Sequence, residues 1–129
     1  MIKALLFSTL LFISQLVFSQ PVISRAFSLC IGTRENIEEE FTWSENLECN
    51  FLIVSETQKV TIHTNKKLEY HTLQDLGENE DGTSHKFLML DQDARKCHLF
   101  ISSYEDILFI IVEYSDLAVI YSTKSTSEN

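Results

Sequence analysis

The stretch FLMLDQDARKCHLF, residues 87–100, decides the fold because two apolar runs flank a D-x-D sequence. Carboxylates at this spacing occur in calcium loops and in tight turns. A calcium loop of the EF-hand type needs oxygen ligands at its fifth and twelfth positions and glycine at its sixth. Counted from Asp91, these positions are Arg95, Ser102 and Lys96. Two cations therefore stand where such a loop needs an oxygen ligand and a glycine.

The same residues fit a tight connection between two antiparallel strands. Asp91 and Asp93 are expected to accept hydrogen bonds from nearby backbone N–H groups, as Asx residues do at chain reversals. The two strands that this turn joins are predicted over residues 86–91 and 96–102. We therefore interpret the stretch as a β-hairpin and assign no metal ion to it.

Similar short runs recur through the rest of the chain. They are rich in Val, Ile, Thr, Phe and Tyr and are separated by turn residues, which indicates an antiparallel sandwich or barrel. The runs are 51–54, 60–64, 68–72, 87–90, 98–101, 107–112 and 117–121. We predict an all-β fold, a single antiparallel meander of about six to eight short strands that forms a small barrel or sandwich.

The N-terminal part of this domain is less regular. Residues 22–31 are a further candidate strand, and the acidic segment 36–41 allows at most one short N-terminal helix. Trp43 is the only tryptophan, and we expect its ring to be buried over one end of the core, where the N–H group can find a partner.

The two ends of the chain are predicted to lie outside the folded domain. Residues 1–19 have the features of a secretory signal peptide, with Lys3 ahead of an apolar core and a small residue, Ser19, at the cleavage position. An uncut N-terminal anchor is the alternative. Residues 20–124 are predicted to form a single all-β domain and residues 125–129 a disordered tail. Cleavage predicts a secreted or periplasmic protein.

The charge balance is strongly acidic. The chain has 19 Asp and Glu against 10 Lys and Arg, a net charge of −9. This balance argues against nucleic acid, whose binding depends on Lys and Arg that neutralise phosphates, and against anionic membrane surfaces. It is compatible with plain solubility or with a basic protein partner attracted by the field of the acidic domain.

Three cysteines follow the leader: Cys30, Cys49 and Cys97. An oxidising compartment favours one disulfide and one remaining thiol. We expect a bond between Cys49 and Cys97, because each of them opens an apolar run. The alternative is three buried, unpaired thiols. No C-x-x-C sequence is present, so neither a thioredoxin-like site nor a zinc knuckle is supported.

Two groups of polar residues are candidate sites. In the hairpin of residues 60–72, a three-residue loop at 65–67 would pair Ile62 with Tyr70. That register places His63, Glu69 and His71 on one face, near enough to share a metal ion, although a solvated polar face is the simpler interpretation. The second group is an exposed acidic loop predicted over residues 75–84. Its candidate contact residues are Glu78, Glu80 and Asp81.

The aromatic residues allow either a filled core or a cavity lining. In a closed barrel they can surround a small apolar ligand, but small barrels have interiors that side chains fill. The residues concerned are Tyr70, Tyr104, Tyr114, Tyr121, Phe87, Phe100 and Phe109.

The sequence has no nucleophile elbow, phosphate-binding loop or cofactor motif, so no enzyme activity and no cofactor are predicted. We hypothesise an exported acidic β-domain that acts as a protein-interaction or binding module. In its most specific form, this hypothesis makes the partner a cationic protein. The alternative hypothesis is a small lipocalin-like barrel that carries a hydrophobic small molecule. The G-x-W sequence that opens lipocalins is missing, since Gly32 and Trp43 are eleven residues apart.

Overall fold

The computed structural model describes residues 21–123, which form one antiparallel sheet of nine strands. The predicted signal peptide and tail lie outside the described residues. The strands are β1 (Val22–Thr33), β2 (Thr42–Trp43), β3 (Leu47–Glu56), β4 (Lys59–His63), β5 (Lys67–Glu78), β6 (Ser84–Asp91), β7 (Lys96–Tyr104), β8 (Ile107–Glu113) and β9 (Leu117–Ser122). The predicted runs and the candidate strand at 22–31 all fall in these elements, except that Thr64 of the run 60–64 lies just beyond β4, so the all-β prediction is confirmed.

The sheet closes into a barrel of eight strands because β1 pairs with both β3 and β9. The N-terminal half of β1 lies along β3, and Ser28 to Thr33 lie along β9. A register shift between Ala26 and Ser28 separates these two halves, and such bulges bend strands sharply enough to close a barrel. The prediction left barrel and sandwich open, and the pairing of the first long strand with the last establishes the barrel.

The interior of the barrel is packed with aliphatic side chains. Because alternate residues of a strand face opposite sides, the runs of the sequence send every second side chain inwards. The fully buried large side chains are Ile53, Ile62, Met89, Leu99, Ile110 and Val112. The middle of the barrel is therefore a filled core.

The predicted hairpin at residues 87–100 is confirmed. Strands β6 and β7 pair with Leu90 opposite Lys96. The turn between them is built on Asp91, whose Oδ1 accepts the N–H groups of Asp93 at 2.9 Å and Arg95 at 2.8 Å. Ala94 completes the reversal with a positive φ of 61°.

The register predicted for the β4–β5 hairpin is wrong by two residues. The structure pairs Ile62 with Leu68 and His63 with Lys67, so the three-residue loop is 64–66 instead of 65–67. Thr64 belongs to the loop because its Oγ1 accepts the N–H of Lys66 at 3.2 Å. A shift of two residues leaves every side chain on the same face, and the apolar pattern therefore fits both registers.

Within the described residues, the N-terminal region has no helix, which the prediction of at most one allowed, and it differs from the prediction at Trp43. Residues 36–41 form no helix: the N–H of Glu39 donates to the carbonyl of Asn36 at 3.0 Å in a single turn. Trp43 is 44% exposed and lies on the outer wall instead of over the core, with its ring against Gly32, its cross-strand partner. Within residues 21–123, no helix has the length and apolarity to span a bilayer.

The predicted disulfide is absent. Cys30, Cys49 and Cys97 are all free thiols, as in the alternative of three buried, unpaired cysteines, but only Cys97 is buried. Cys49 lies on β3 and Cys97 on β7, and in the closed order of strands these two are on opposite walls of the barrel. A disulfide requires Cα atoms within about 7 Å of one another, and the packed core separates these walls.

Candidate functional site

Three tight connections meet at one end of the barrel. From β3 to β9, consecutive strands run in opposite directions, so the connections 64–66, 92–95 and 114–116 all lie at the same end. A cavity of about 250 Å³ opens between them, above the packed core. We call it the tyrosine pocket, and it is lined by Leu68, Glu69, Tyr70, Asp91, Gln92, Asp93, Arg95, Val112, Tyr114, Leu117, Val119 and Tyr121.

Asp91 is the polar centre of the tyrosine pocket. It is the last residue of β6. Its inward side chain links the β6–β7 turn to Tyr114, which follows β8. Its Oδ1 accepts the backbone bonds of the turn, and its Oδ2 accepts the hydroxyl of Tyr114 at 2.7 Å. Burial raises the pKa of Asp91, but hydrogen bonds from Tyr114 and the turn, with the charge of Arg95, outweigh burial and hold the pKa below its usual value. The carboxylate therefore stays ionised at neutral pH.

The tyrosines of the pocket keep their hydroxyl protons. Burial is the main reason that the pKa values of Tyr70 and Tyr114 are strongly raised. Burial likewise raises the pKa of Tyr121 to about 12. Neutral hydroxyl groups and aromatic rings thus surround one carboxylate. Such a surface binds by hydrogen bonding and by ring contact.

Cys97 lies below these tyrosines, in the core. Its side chain is 3% exposed, and burial raises the pKa of its thiol to about 11. A thiol nucleophile acts as the thiolate. The thiol at this position is therefore a protonated core group and is not an activated nucleophile.

Two further contacts shape the rim of the pocket. The side-chain oxygen of Gln92 accepts the N–H of Glu69 at 3.0 Å, which ties the β6–β7 turn to strand β5. The guanidinium carbon of Arg95 lies 4.6 Å from the ring centroid of Tyr114. Arg95 is exposed, so its side chain covers the ring from the solvent side.

Of the three residues proposed for a metal site, Glu69 contributes to the lining of the tyrosine pocket and serves other contacts. Glu69 forms ion pairs with Lys67 at 3.1 Å and with Lys59 at 3.5 Å. His63 is opposite Lys67, and His71 is opposite Lys59. Among residues 21–123, no group of three or more His, Cys, Asp and Glu is arranged to hold a metal ion.

The predicted acidic loop is shorter than the sequence suggested. Strand β5 continues to Glu78, so the connection to β6 is only residues 79–83. Glu78, Glu80 and Asp81 are all exposed. The carboxylate of Asp81 accepts the hydroxyl of Thr83 at 2.7 Å. Because this connection lies at the end of the barrel opposite the tyrosine pocket, the acidic residues and the pocket form separate surfaces.

The outer wall carries a second, apolar groove beneath the 34–46 segment. Arg34 holds this segment in place: its Nε donates to the carbonyl of Ser115 at 2.7 Å, and its guanidinium lies 4.0 Å from the ring centroid of Phe41. The groove has a volume of about 250 Å³. Its lining residues are Phe41, Trp43, Ser84, Phe100, Ser102, Ile111, Glu113, Ala118 and Ile120.

The sequence identified part of the tyrosine pocket. Of the seven aromatic residues proposed as a cavity lining, Tyr70, Tyr114 and Tyr121 line it. Phe87 packs against the core, Phe100 lies in the outer groove, and Tyr104 is 68% exposed. From the sequence, Arg95 is a turn residue that is unsuited to calcium binding, and nothing assigns it to a pocket. Arg95 follows the inward Asp91 closely in the same turn, and this position indicates that it lies at the barrel mouth.

No family model, curated protein or solved structure matches the chain.

Proposed function

We propose that the protein is an exported, non-enzymatic binding module and that its ligand site is the tyrosine pocket. The observation that carries this proposal is the geometry of the barrel mouth, where a few converging polar groups interrupt an otherwise apolar wall. Ligand sites commonly have this composition, and they are common in the mouths of β-barrels. The rigid barrel fixes the positions of the groups that would contact the ligand.

The state of the polar groups supports binding over catalysis. Asp91 already accepts three hydrogen bonds, so it is poorly placed to take a proton from a substrate. The buried tyrosines have raised pKa values, which makes them hydrogen-bond donors at neutral pH. A general base needs a pKa near the working pH and free access to the proton that it abstracts.

The size of the pocket limits the ligand. Sites for drug-sized molecules have volumes of roughly 300–1,000 Å³, and the tyrosine pocket has about 250 Å³. A suitable ligand is therefore a very small molecule or a single side chain of a protein partner. The second possibility agrees with the interaction module expected from the acidic composition.

The lipocalin-like alternative is favoured by one observation, the eight-stranded barrel whose strands pair in chain order and close from β9 to β1. A carrier also needs room for its cargo, and the centre of this barrel is filled by side chains such as Ile62 and Leu99. Under this alternative the hydrophobic molecule would be held at the mouth of the barrel.

A fragment screen by amide-detected NMR tests the proposed site. Fragments smaller than drug-sized molecules match the small cavity. Bound fragments should shift the amide signals of Asp93, Arg95 and Tyr114. Leu117→Trp should fill the pocket and abolish binding, whereas Asn65→Trp, an exposed change on a nearby loop, should leave it intact. Fragments that bind only elsewhere, or equal loss in both variants, would contradict the proposal.

Export is tested separately by sequencing the N-terminus of the protein recovered outside the cytoplasm. A mature chain that begins at Gln20 is the expected result. A chain that keeps residues 1–19 would contradict cleavage, without bearing on the pocket.

A further inference from the structure

One cationic side chain of this protein already lies against the wall of the tyrosine pocket. The guanidinium of Arg95 is 4.6 Å from the centroid of the Tyr114 ring, well inside the roughly 6 Å over which a ring attracts a cation. Arg95 is an exposed residue. A long exposed side chain held by one such contact can move into solvent at small cost.

The charges around that position favour a cation. Asp91 is ionised, and its Oδ2 accepts the hydroxyl of Tyr114 at 2.7 Å. Asp93 is exposed on the same turn. Glu69 contributes little, because Lys59 and Lys67 pair with its carboxylate. Without Arg95, the Asp91 carboxylate within the pocket and the Asp93 carboxylate at its rim would face an aromatic wall with no cation between them.

We infer that the tyrosine pocket binds a guanidinium or ammonium group, and that Arg95 is a displaceable stand-in for that group. This inference rests on the proposed function and names its ligand class. The incoming cation would lie on the face of Tyr114, near Asp91, while the Arg95 side chain turns out to solvent. The natural source of such a group is an arginine or lysine side chain of a basic protein.

The charge of the whole molecule supports the same ligand class. A net charge of −9 on 129 residues raises the local concentration of cations and steers a basic partner towards the surface. The acidic field acts at long range, whereas the ring and the carboxylate select the group at short range. Salt should therefore weaken the association.

The test uses N-ethylguanidinium and its neutral analogue N-ethylurea, titrated into the full domain and followed by amide-detected NMR. N-ethylguanidinium should shift the signals of Asp93 and Arg95, and N-ethylurea should not. Arg95→Gln removes the stand-in. Since N-ethylguanidinium then no longer competes with one exposed cation–π contact, its binding should tighten about two- to fivefold. Arg25→Gln is the matched control, because Arg25 is exposed but bonds Asn50 on the outer wall.

Each other outcome overturns the inference in a distinct way. Equal binding of N-ethylurea would show that the pocket does not select a cation, although the pocket would remain a binding site. Weaker binding of N-ethylguanidinium to Arg95→Gln would show that Arg95 supports the site instead of competing for it, which contradicts its role as a stand-in. If N-ethylguanidinium fails to bind while neutral fragments still fill the pocket, the inference fails and the proposed function stands. If nothing enters the pocket, both fail.

Discussion

The ring of Trp43 lies directly on the backbone of Gly32, and the two residues are cross-strand partners between β2 and β1. A Cβ atom at position 32 would lie 2.7 Å from Cζ3 of Trp43, closer than real contacts allow. Glycine at this position therefore lets an aromatic side chain cover the outer wall, and the pair fixes the short strand β2 to the barrel.

Replacing Gly32 by alanine should move this ring. We expect Gly32→Ala to lower the free energy of unfolding by about 1–3 kcal/mol, the usual cost of overpacking, and to shift Trp43 fluorescence to longer wavelength as the ring becomes more exposed. Urea unfolding followed by circular dichroism measures the first effect. In a Trp43→Ala background the cost should almost vanish, and an unchanged cost there would contradict the contact.

The Asp91 carboxylate should make stability depend on acid pH. Its folded pKa lies below the usual value of 3.8, so its contribution is complete well above pH 3.8 and is lost as the pH falls through the folded pKa. A protonated Asp91 resembles asparagine. Asp91→Asn should therefore be less stable than the wild type at about pH 6, and the difference should shrink at about pH 2–3.

Urea midpoints at these two pH values provide the measurement. Asp93→Asn, an exposed change on the same turn, is the control and should follow the wild type. A difference between Asp91→Asn and wild type that stays constant with pH would show that the carboxylate charge has no part in it.

Substitutions in the β7–β8 turn should raise the stability of the protein. Glu105 and Asp106 both have positive φ values, 50° and 64°, which is the geometry of a type I′ turn and favours Asn-Gly. We expect Glu105→Asn with Asp106→Gly to raise the free energy of unfolding by about 1 kcal/mol, because strain from left-handed backbone is relieved. Thermal unfolding measures the gain.

The two-residue connection between β3 and β4 supplies the control. Gln58 is not among the described residues with positive φ, so Gln58→Gly should add only chain flexibility and lower stability by roughly 0.5–1 kcal/mol. A gain at position 58 as large as that at 105 and 106 would contradict the turn geometry.

The three thiols should differ in reactivity. Cys97 is 3% exposed, and burial raises its pKa to about 11, so iodoacetamide should reach it only when the protein unfolds. Cys30 is partly exposed and should react first. Peptide mass spectrometry after timed labelling measures the order. A Cys49–Cys97 linked peptide in a non-reduced digest would contradict the structure.

The strands were predictable because their alternation is local. Every run of Val, Ile, Thr and aromatic residues became part of a strand, and the capping role of Asp91 followed from the ordinary chemistry of Asx residues in turns. The β7–β8 turn carries Glu105 and Asp106 where a type I′ turn prefers Asn-Gly, so turn residues alone did not specify it.

The closed barrel and the pocket depend on contacts between distant parts of the chain. Pairing of Leu29 with Tyr121 closes the barrel, and no local pattern encodes that contact. The bond from Tyr114 to Asp91 is likewise long-range. Inward and outward aromatic residues, such as Tyr121 and Phe100, have similar sequence surroundings. Only the register around the whole barrel separates a pocket residue from one on the outer wall.

The double pairing of β1 sets the order in which the molecule can be completed. The first long strand has one neighbour, β3, that follows it closely in the chain, and another, β9, that is the last of the described strands. A ring of this kind cannot close during synthesis until β9 has left the ribosome. Closure of the barrel thus waits for the most distant pair of strands, and dominance of such distant contacts predicts slow folding.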